Sequence, residues 1–311
     1  MPRIRIGTRR SPLALEQSNM IQTALQERYP ELQIEIIEVI TAGDKKQGKG
    51  ETVVRDKKDW IGAIEDEIVS GEIDLAVHSG KDVPADLAPG TEILPALKRE
   101  SPLDVLILKD ARSGIRSLRE LESGSVIGTA SSRRGAQLLA SNPQLKVQIL
   151  RGNVATRLAK LREDSMLRGI VLARAGIARL GLDSLALEES ACIDLSSEEM
   201  LPAVNQGVLL LQFSSERAEI KEIAQSLCDP DTTDCALSER ACVVALNADC
   251  KSALGVFAEI RAGELQLRAR ALSHDGTAEM RDQIAGPRER ARELGRLLGE
   301  RMLAAGAAEY I

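Results

Sequence analysis

Residues 3–7 alternate apolar and charged positions and read as a strand. Ser11 and Pro12 follow, suited to the N-cap and first position of a helix that carries Leu13, Leu15 and Ile21 and runs to about Arg28. Residues 32–40 read as the next strand, so the chain opens β-α-β, the start of a mostly parallel sheet. Residues 41–58 are rich in Gly and Lys, lack apolar patterning and read as a loop. Trp60, Ile61, Ile64 and Ile68 mark a helix, and the apolar run 75–77 a short buried strand stopped by Pro84. Two strand-like runs within 94–108 flank a crossing into a second domain. There, strands at 126–129, 147–150 and 169–173 are each followed by a helix. A strand at 208–213 returns to the first domain. A helix at 229–246, a hairpin at 256–261 and 265–272, and an amphipathic helix at 288–304 with Leu294, Leu297, Leu298 and Met302 inward complete a small α+β domain.

The chain has 311 residues, enough for two or three domains. Only 2% are aromatic, so cores must be built from Leu, Ile, Val and Ala. The net charge of −6 argues against a nucleic-acid binder. No run approaches the ~18 apolar residues of a membrane span, and residues 1–8 read as a strand rather than a signal peptide. A cytoplasmic protein is expected. Five cysteines without a CxxC pair argue against a disulfide framework, and two histidines against a zinc site. Cys235 and Cys242 lie on one helix face and read as core, whereas Cys250 lies in a loop beside Lys251, which favours the thiolate, and Asp249, which opposes it.

One pattern recurs. A strand, then Arg with Ser, Gly or Asn, then a helix occurs at Arg9/Ser11, at Ser131/Arg133/Arg134 and at Arg151/Asn153. Each instance puts guanidinium groups and helix N-terminal amides at a strand's carboxyl end, where open α/β sheets bind ligands. Arginine forks match carboxylates in two-point contacts, so the set predicts a cleft for a polyanion. Lys81 and Asp82 fall at another strand end. Gly43-x4-Gly48-Lys49 is a near miss to a phosphate-binding loop, but Gly50 stands where a hydroxyl would hold magnesium.

With these motifs the chain resembles the porphobilinogen deaminase (hydroxymethylbilane synthase) family. The matching segments start at Thr8 (TRRSPLAL), Ala76 (AVHSGKDVP), Leu150 (LRGNV, then Thr156-Arg157-Leu158), Ala175 (AG, then Arg179-Leu180-Gly181) and Leu201 (LPAV, then Gln206-Gly207), in the family's order. The resemblance implies two periplasmic-binding-protein-like, doubly wound lobes with mostly parallel sheets and the active cleft between them. A small C-terminal α+β domain carries the cofactor. It implies boundaries of 1–100 plus 201–222 for the first lobe, 101–200 for the second and 223–311 for the third domain.

The implied activity joins four porphobilinogen molecules head to tail, each losing ammonia, on a covalent dipyrromethane primer. Hydrolysis then releases linear hydroxymethylbilane. The implied roles are Asp82 as the catalytic carboxylate, Cys250 as the covalent attachment point, and Ser11, Lys81, Ser131, Arg133 and Arg134 as cofactor contacts. Arg9, Arg151, Arg157 and Arg179 bind substrate carboxylates, and Lys57 and Trp60 belong to a lid. A monomer acting on porphobilinogen, without nucleic acid, membrane or metal, is expected. The alternative is a non-catalytic relative that holds a tetrapyrrole or other polycarboxylate. The chain departs from the family at Gly80, usually a large residue, at Asn205, usually glycine, and in the cysteine loop, where Ala248-Asp249 replace Gly-Gly and Ala253 a proline.

Overall fold

The computed structural model describes residues 3–39, 58–112, 114–182, 190–249 and 251–311, with backbone alone at 58–60. The predicted loop at 41–58 falls almost wholly outside them. Two compact units emerge, Met1–Arg99 with Val208–Thr233, and Glu100–Gly207 with Asp234–Ile311.

In the first unit, β1 (Arg3–Thr8), α1 (Pro12–Arg28), β2 (Gln33–Glu38), α2 (Lys58–Val69), β3 (Leu75–Ser79) and β4 (Thr91–Ala96) precede β10 (Leu209–Ser214) and α6 (Ala218–Gln225). The sheet order is β2-β1-β3-β10-β4. Alternate residues of β3 enter cores on opposite faces: Leu75 and Val77 join Ile6, Ile21, Leu25 and Phe213, while Ala76 joins Ile64, Ile68 and Ile73. The sheet is therefore buried on both faces, as a doubly wound fold requires.

The second unit contains β5 (Asp104–Leu108), β6 (Val126–Gly128), α3 (Ser132–Ser141), β7 (Lys146–Gln148), α4 (Val154–Glu163), β8 (Leu167–Ala173), α5 (Arg174–Arg179) and β9 (Ala191–Leu195). Their order, β7-β6-β8-β5-β9, repeats the first sheet's plan. Val105 and Ile107 enter one core, Leu106 and Leu108 the other. The same unit holds α7 (Pro230–Leu246), β11 (Leu254–Arg261), β12 (Glu264–Leu272), β13 (Glu279–Pro287) and α8 (Ala291–Ala304). The strands form an antiparallel meander, and Cys235, Cys242, Leu294, Leu298 and Met302 pack with Val256, Leu265 and Leu267.

The two five-stranded sheets are mostly parallel, as the sequence suggests, with one reversed strand in each. β1, β2 and β3 are parallel, as are β6, β7 and β8, but β10 and β5 run antiparallel to both neighbours. These are the first strands after the chain crosses between units at 207/208 and 99/100. Each enters its sheet without the crossover helix that a parallel neighbour needs. The predicted hairpin gains β13, and residues 288–290 form a 3-10 turn ahead of α8.

Two buried polar networks fix the frame. In the first unit, Gln212 donates through Nε2 to Glu65 Oε1 at 2.8 Å and Thr91 Oγ1 at 2.9 Å, while its Oε1 lies 3.0 Å from His78 Nε2. The glutamine nitrogen is committed, so Oε1 accepts and His78 Nε2 carries the proton. Burial pushes His78 down to about 4. In the second unit, the fully buried Glu239 of α7 accepts from Asn205 N at 2.6 Å and from Ala258 N of β11 at 2.8 Å. Asn205 is left-handed (φ 53°), and its carboxamide nitrogen donates to Glu239 Oε2 at 3.1 Å and Ala236 O at 3.2 Å. Two residues on, Gly207 has φ 87°, and a Cβ there would lie 2.2 Å from Glu100 O, so no side chain fits.

Asn205→Ala loses those bonds and places Ala in a left-handed position. It should cost about 2 kcal/mol, and Asn205→Gly about half as much, by denaturant unfolding. Acid gives a second expectation. Below 6.5 the unfolded chain protonates His78's imidazole, whereas the folded chain resists until about 4. This contribution is complete above pH 6.5 and is lost as pH falls toward 4. His78→Gln should remove that part of the slope, read from urea midpoints near neutrality and at about pH 5.

Candidate active site

In the first unit the site residues gather at the carboxyl ends of the parallel neighbours β1 and β3. Ser11 caps α1, its Oγ accepting from Ala14 N at 3.3 Å. Thr8 Oγ1 donates to Ala14 O at 3.1 Å, and Gln17 Nε2 to Ser79 Oγ at 2.8 Å, which ties the first turns of α1 to both strand ends. β3 runs straight into a 3-10 turn, Gly80–Asp82, whose Gly80 amide donates to Val208 O at 2.9 Å. Lys81 and Asp82 sit on this turn, half-buried. The charges of Asp82 and Arg9 both act on His78, which places both near the end of β3.

In the second unit the residues again gather at strand carboxyl ends. Ser131 caps α3, its Oγ accepting from Arg134 N at 3.4 Å, and Asn153 caps α4, its Oδ1 accepting from Thr156 N at 2.8 Å. Gly152 leads into that cap with φ 126°, and a Cβ there would press on the Thr156 side chain at 2.8 Å. Arg151 is exposed, and Arg157 Nε donates to Gly152 O at 2.8 Å. Arg179 closes α5 and donates through Nη2 to Gly207 O at 2.6 Å. Burial lowers it to about 10, so it stays cationic at neutral pH.

Arg133 and Arg134 are buried rather than displayed, and both bind Asp104, the first residue of β5. Asp104 pairs in register with Ala173 at the carboxyl end of β8, so it sits at the same sheet edge. Burial would raise its carboxyl, but the two guanidiniums outweigh that and hold it at about 2. Sequence reasoning missed Asp104; its only local signal is an acid opening an entirely apolar strand. It also missed Gln137, which donates to Leu201 O at 2.9 Å and accepts from Leu201 N at 2.7 Å.

The arrangement suits a polycarboxylate. Arg133 Nε and Arg179 Nε are buried and have no hydrogen-bond partner among the described residues. Buried donors are normally satisfied, so each marks a place for an oxygen acceptor. A dipyrromethane bearing acetates and propionates offers such acceptors.

Cys250 and Lys57 lie outside the described residues, as does the side chain of Trp60. Around position 250 the loop is ordered by Asp249, whose Oδ1 accepts from Lys251 N at 2.8 Å, Ser252 N at 3.0 Å and Ser252 Oγ at 3.1 Å. Ala253 is fully buried against Ala136 of α3 and Leu272. The cysteine loop is thus moored to the helix that carries Arg133 and Arg134. Among the described residues no helix is long and apolar enough to cross a membrane, and no cluster of His, Cys, Asp or Glu is placed to hold a metal.

Comparison with known proteins agrees with this chemistry. The family model for the porphobilinogen deaminase dipyromethane cofactor binding domain matches residues 4–222, and that for the porphobilinogen deaminase C-terminal domain matches 233–304. Porphobilinogen deaminase of Chromobacterium violaceum is 38% identical, covering 100% of this chain and 97% of its own. That of Geobacter sulfurreducens is 36% identical, covering 99% and 94%. Among solved structures, the periplasmic aliphatic sulphonate binding protein SsuA from Escherichia coli aligns over 79% of this chain and 71% of its own, with 14% identity and a TM-score of 0.42. The motifs at the strand ends, the cofactor-domain match and the full-length relatives converge: the chain belongs to the porphobilinogen deaminase family.

Proposed function

We propose that the two strand-end clusters divide the labour of hydroxymethylbilane synthesis, the transferase activity of this family. The reaction joins four porphobilinogen molecules head to tail, each losing ammonia, and ends with hydrolytic release of the linear tetrapyrrole. Dipyrromethane, when attached, supplies the pyrrole carbon to which the first porphobilinogen is joined. The observation that carries this assignment is the pair of buried guanidinium Nε–H groups, on Arg133 and Arg179, with no acceptor among the described residues.

Cys250 is the attachment point, and three residues on Ala253 rests on α3. Ser131 and Arg133, with Arg134 behind, hold cofactor carboxylates, and Ser11 and Lys81 contribute from the first unit. Arg9, Arg151, Arg157 and Arg179 take the acetate and propionate groups of incoming porphobilinogen by two-point contacts. Asp82 faces the reacting pyrrole. Loss of ammonia leaves the substrate cationic, and a carboxylate stabilises that charge and moves the pyrrole protons. The rigid turn Gly80–Asp82 fixes that carboxylate directly at the end of a buried strand.

The functional division is 1–100 with 201–222, 101–200, and 223–311. It is supported by three separate sheets and by a boundary between the two family models that falls within 222–233. The enzyme acts as a cytoplasmic monomer; the unpatterned cysteines support the compartment, and cell fractionation and sedimentation equilibrium check compartment and oligomeric state.

Asp82→Ala should fold normally by circular dichroism and lower kcat at least ~100-fold. Turnover within about twofold of the parent would remove Asp82 from the chemistry. Cys250→Ser, purified from cells that make porphobilinogen, should show an intact mass without the two-pyrrole increment. A cofactor retained at full occupancy would move the attachment elsewhere.

A further inference from the structure

Asp104 is fully buried and takes four side-chain donor contacts. Its Oδ2 accepts from Arg133 Nη1 at 2.7 Å. Its Oδ1 accepts from Arg134 Nε at 3.0 Å and Gln206 Nε2 at 3.0 Å, and lies 2.8 Å from Arg134 Nη2 in an ion pair. A guanidinium grips a carboxylate best through Nε–H and the Nη2 hydrogen beside it, which point the same way. In Arg134 that fork is filled by Asp104, and Arg134 Nη1 is spent on Val171 O at 3.1 Å. In Arg133 the opposite end is used: Nη1 serves both Asp104 and Leu201 O, the latter at 2.8 Å. Its Nε is buried, has no partner among the described residues, and belongs to a side chain only 4% exposed.

We propose that Asp104 is a positioning residue: it fills the fork of Arg134 and holds Arg133 by Nη1, so that the Nε–Nη2 edge of Arg133 is the one two-point carboxylate site of the pair. Two adjacent arginines thus have unequal jobs. Arg134 anchors Asp104, Asp104 orients Arg133, and Arg133 grips the ligand. The inference rests on reading this sheet edge as the cofactor-carboxylate site.

Asn at 104 has the right shape, but one oxygen becomes a donor. Three donors converge on Oδ1 and one on Oδ2, so the amide nitrogen takes the Oδ2 place and faces Arg133 Nη1. Arg134 and Gln206 stay held, and Arg133 keeps only its bond to Leu201 O.

The test uses the full-length chain made without tetrapyrrole precursors and then incubated with preformed hydroxymethylbilane. The fraction carrying the two-pyrrole mass increment gives the concentration for half-loading. Asp104→Asn should raise that concentration about tenfold or more, and Arg133→Lys, which keeps charge but loses the fork, by a similar factor. The double variant should be no worse than Arg133→Lys alone, because both changes break one connection. Arg134→Lys, which keeps a cation beside Asp104 but loses the fork that anchors it, should also raise the half-loading concentration, by less than Arg133→Lys does; a larger loss than that of Arg133→Lys would count against the proposal. Multiplicative losses in the double variant, or parent-like loading by Asp104→Asn, would overturn the proposal. If Arg133→Lys itself loads like the parent, the underlying reading of the site fails instead. Should Asp104→Asn not fold, Asp104→Glu decides: a displaced carboxylate should load poorly, whereas parent-like loading means that charge alone matters and positioning is refuted.

Discussion

A carboxylate removed entirely from water must be matched by cations and hydrogen bonds, or it becomes neutral. Asp104 meets that demand with two arginines and a glutamine, and the second unit's binding edge is built around the solution. Arg133 and Arg134 come from the first turn of α3, Gln206 from the segment leading back to the first unit, and Asp104 from the start of the first strand after the chain leaves it. Strand, helix and return segment are therefore fastened at one point. The fastening is polar and directional, and it leaves specified donors over. A hydrophobic contact of equal strength would hold the elements together without dictating which guanidinium edge stays open.

The segment 201–207 extends the same logic. Leu201 is held by Arg133 and Gln137, Asn205 by Glu239, and Gly207 by Arg179. Each clamp arrives from a different element: α3, α7 and α5. Two of the arginines assigned to ligand are thus also the residues that fix the backbone of this segment. Binding and framework share side chains here, so substitution of either arginine disturbs both. The first unit separates the tasks more cleanly. Its framework network of His78, Gln212, Glu65 and Thr91 lies below the turn that carries Lys81 and Asp82.

Much of this was legible in the sequence because its signals are local. Ser11 with Pro12, Ser131 and Asn153 announce helix starts within three residues, and all three act as caps through their side chains. The alternation at 3–7 and the apolar runs gave the strands. Asp104 was not legible because its partners lie 29, 30 and 102 residues away. Glu239 is similar, with backbone partners on either side of it in sequence and no motif between them. β13 carries Glu279, Arg281 and Asp282 among its apolar positions, as an edge strand open to solvent can, which weakened its signal. Strand direction was missed for β5 and β10 because it follows from the crossings between units, not from the residues in the strand.

The departures from the family acquire physical reasons in this frame. A glycine at 205 would satisfy the left-handed backbone without cost. Asparagine is the side chain that best tolerates that conformation, and here its carboxamide reaches Glu239 and Ala236. In the cysteine loop, glycines would leave the backbone free to adopt the turn, and a proline would fix φ at one position. Asp249 instead gathers two amides and a hydroxyl beyond position 250, while Ala253 seals the loop against α3. Asp249's carboxylate is thereby directed at backbone N–H groups. Burial would raise its pKa, but these hydrogen bonds outweigh that and lower it, so the charge remains and is locally neutralised. Lys251 donates through its backbone to the same carboxylate. The described residues of the loop are thus defined by the side-chain hydrogen bonds of Asp249 and by the packing of Ala253 on the arginine-bearing helix.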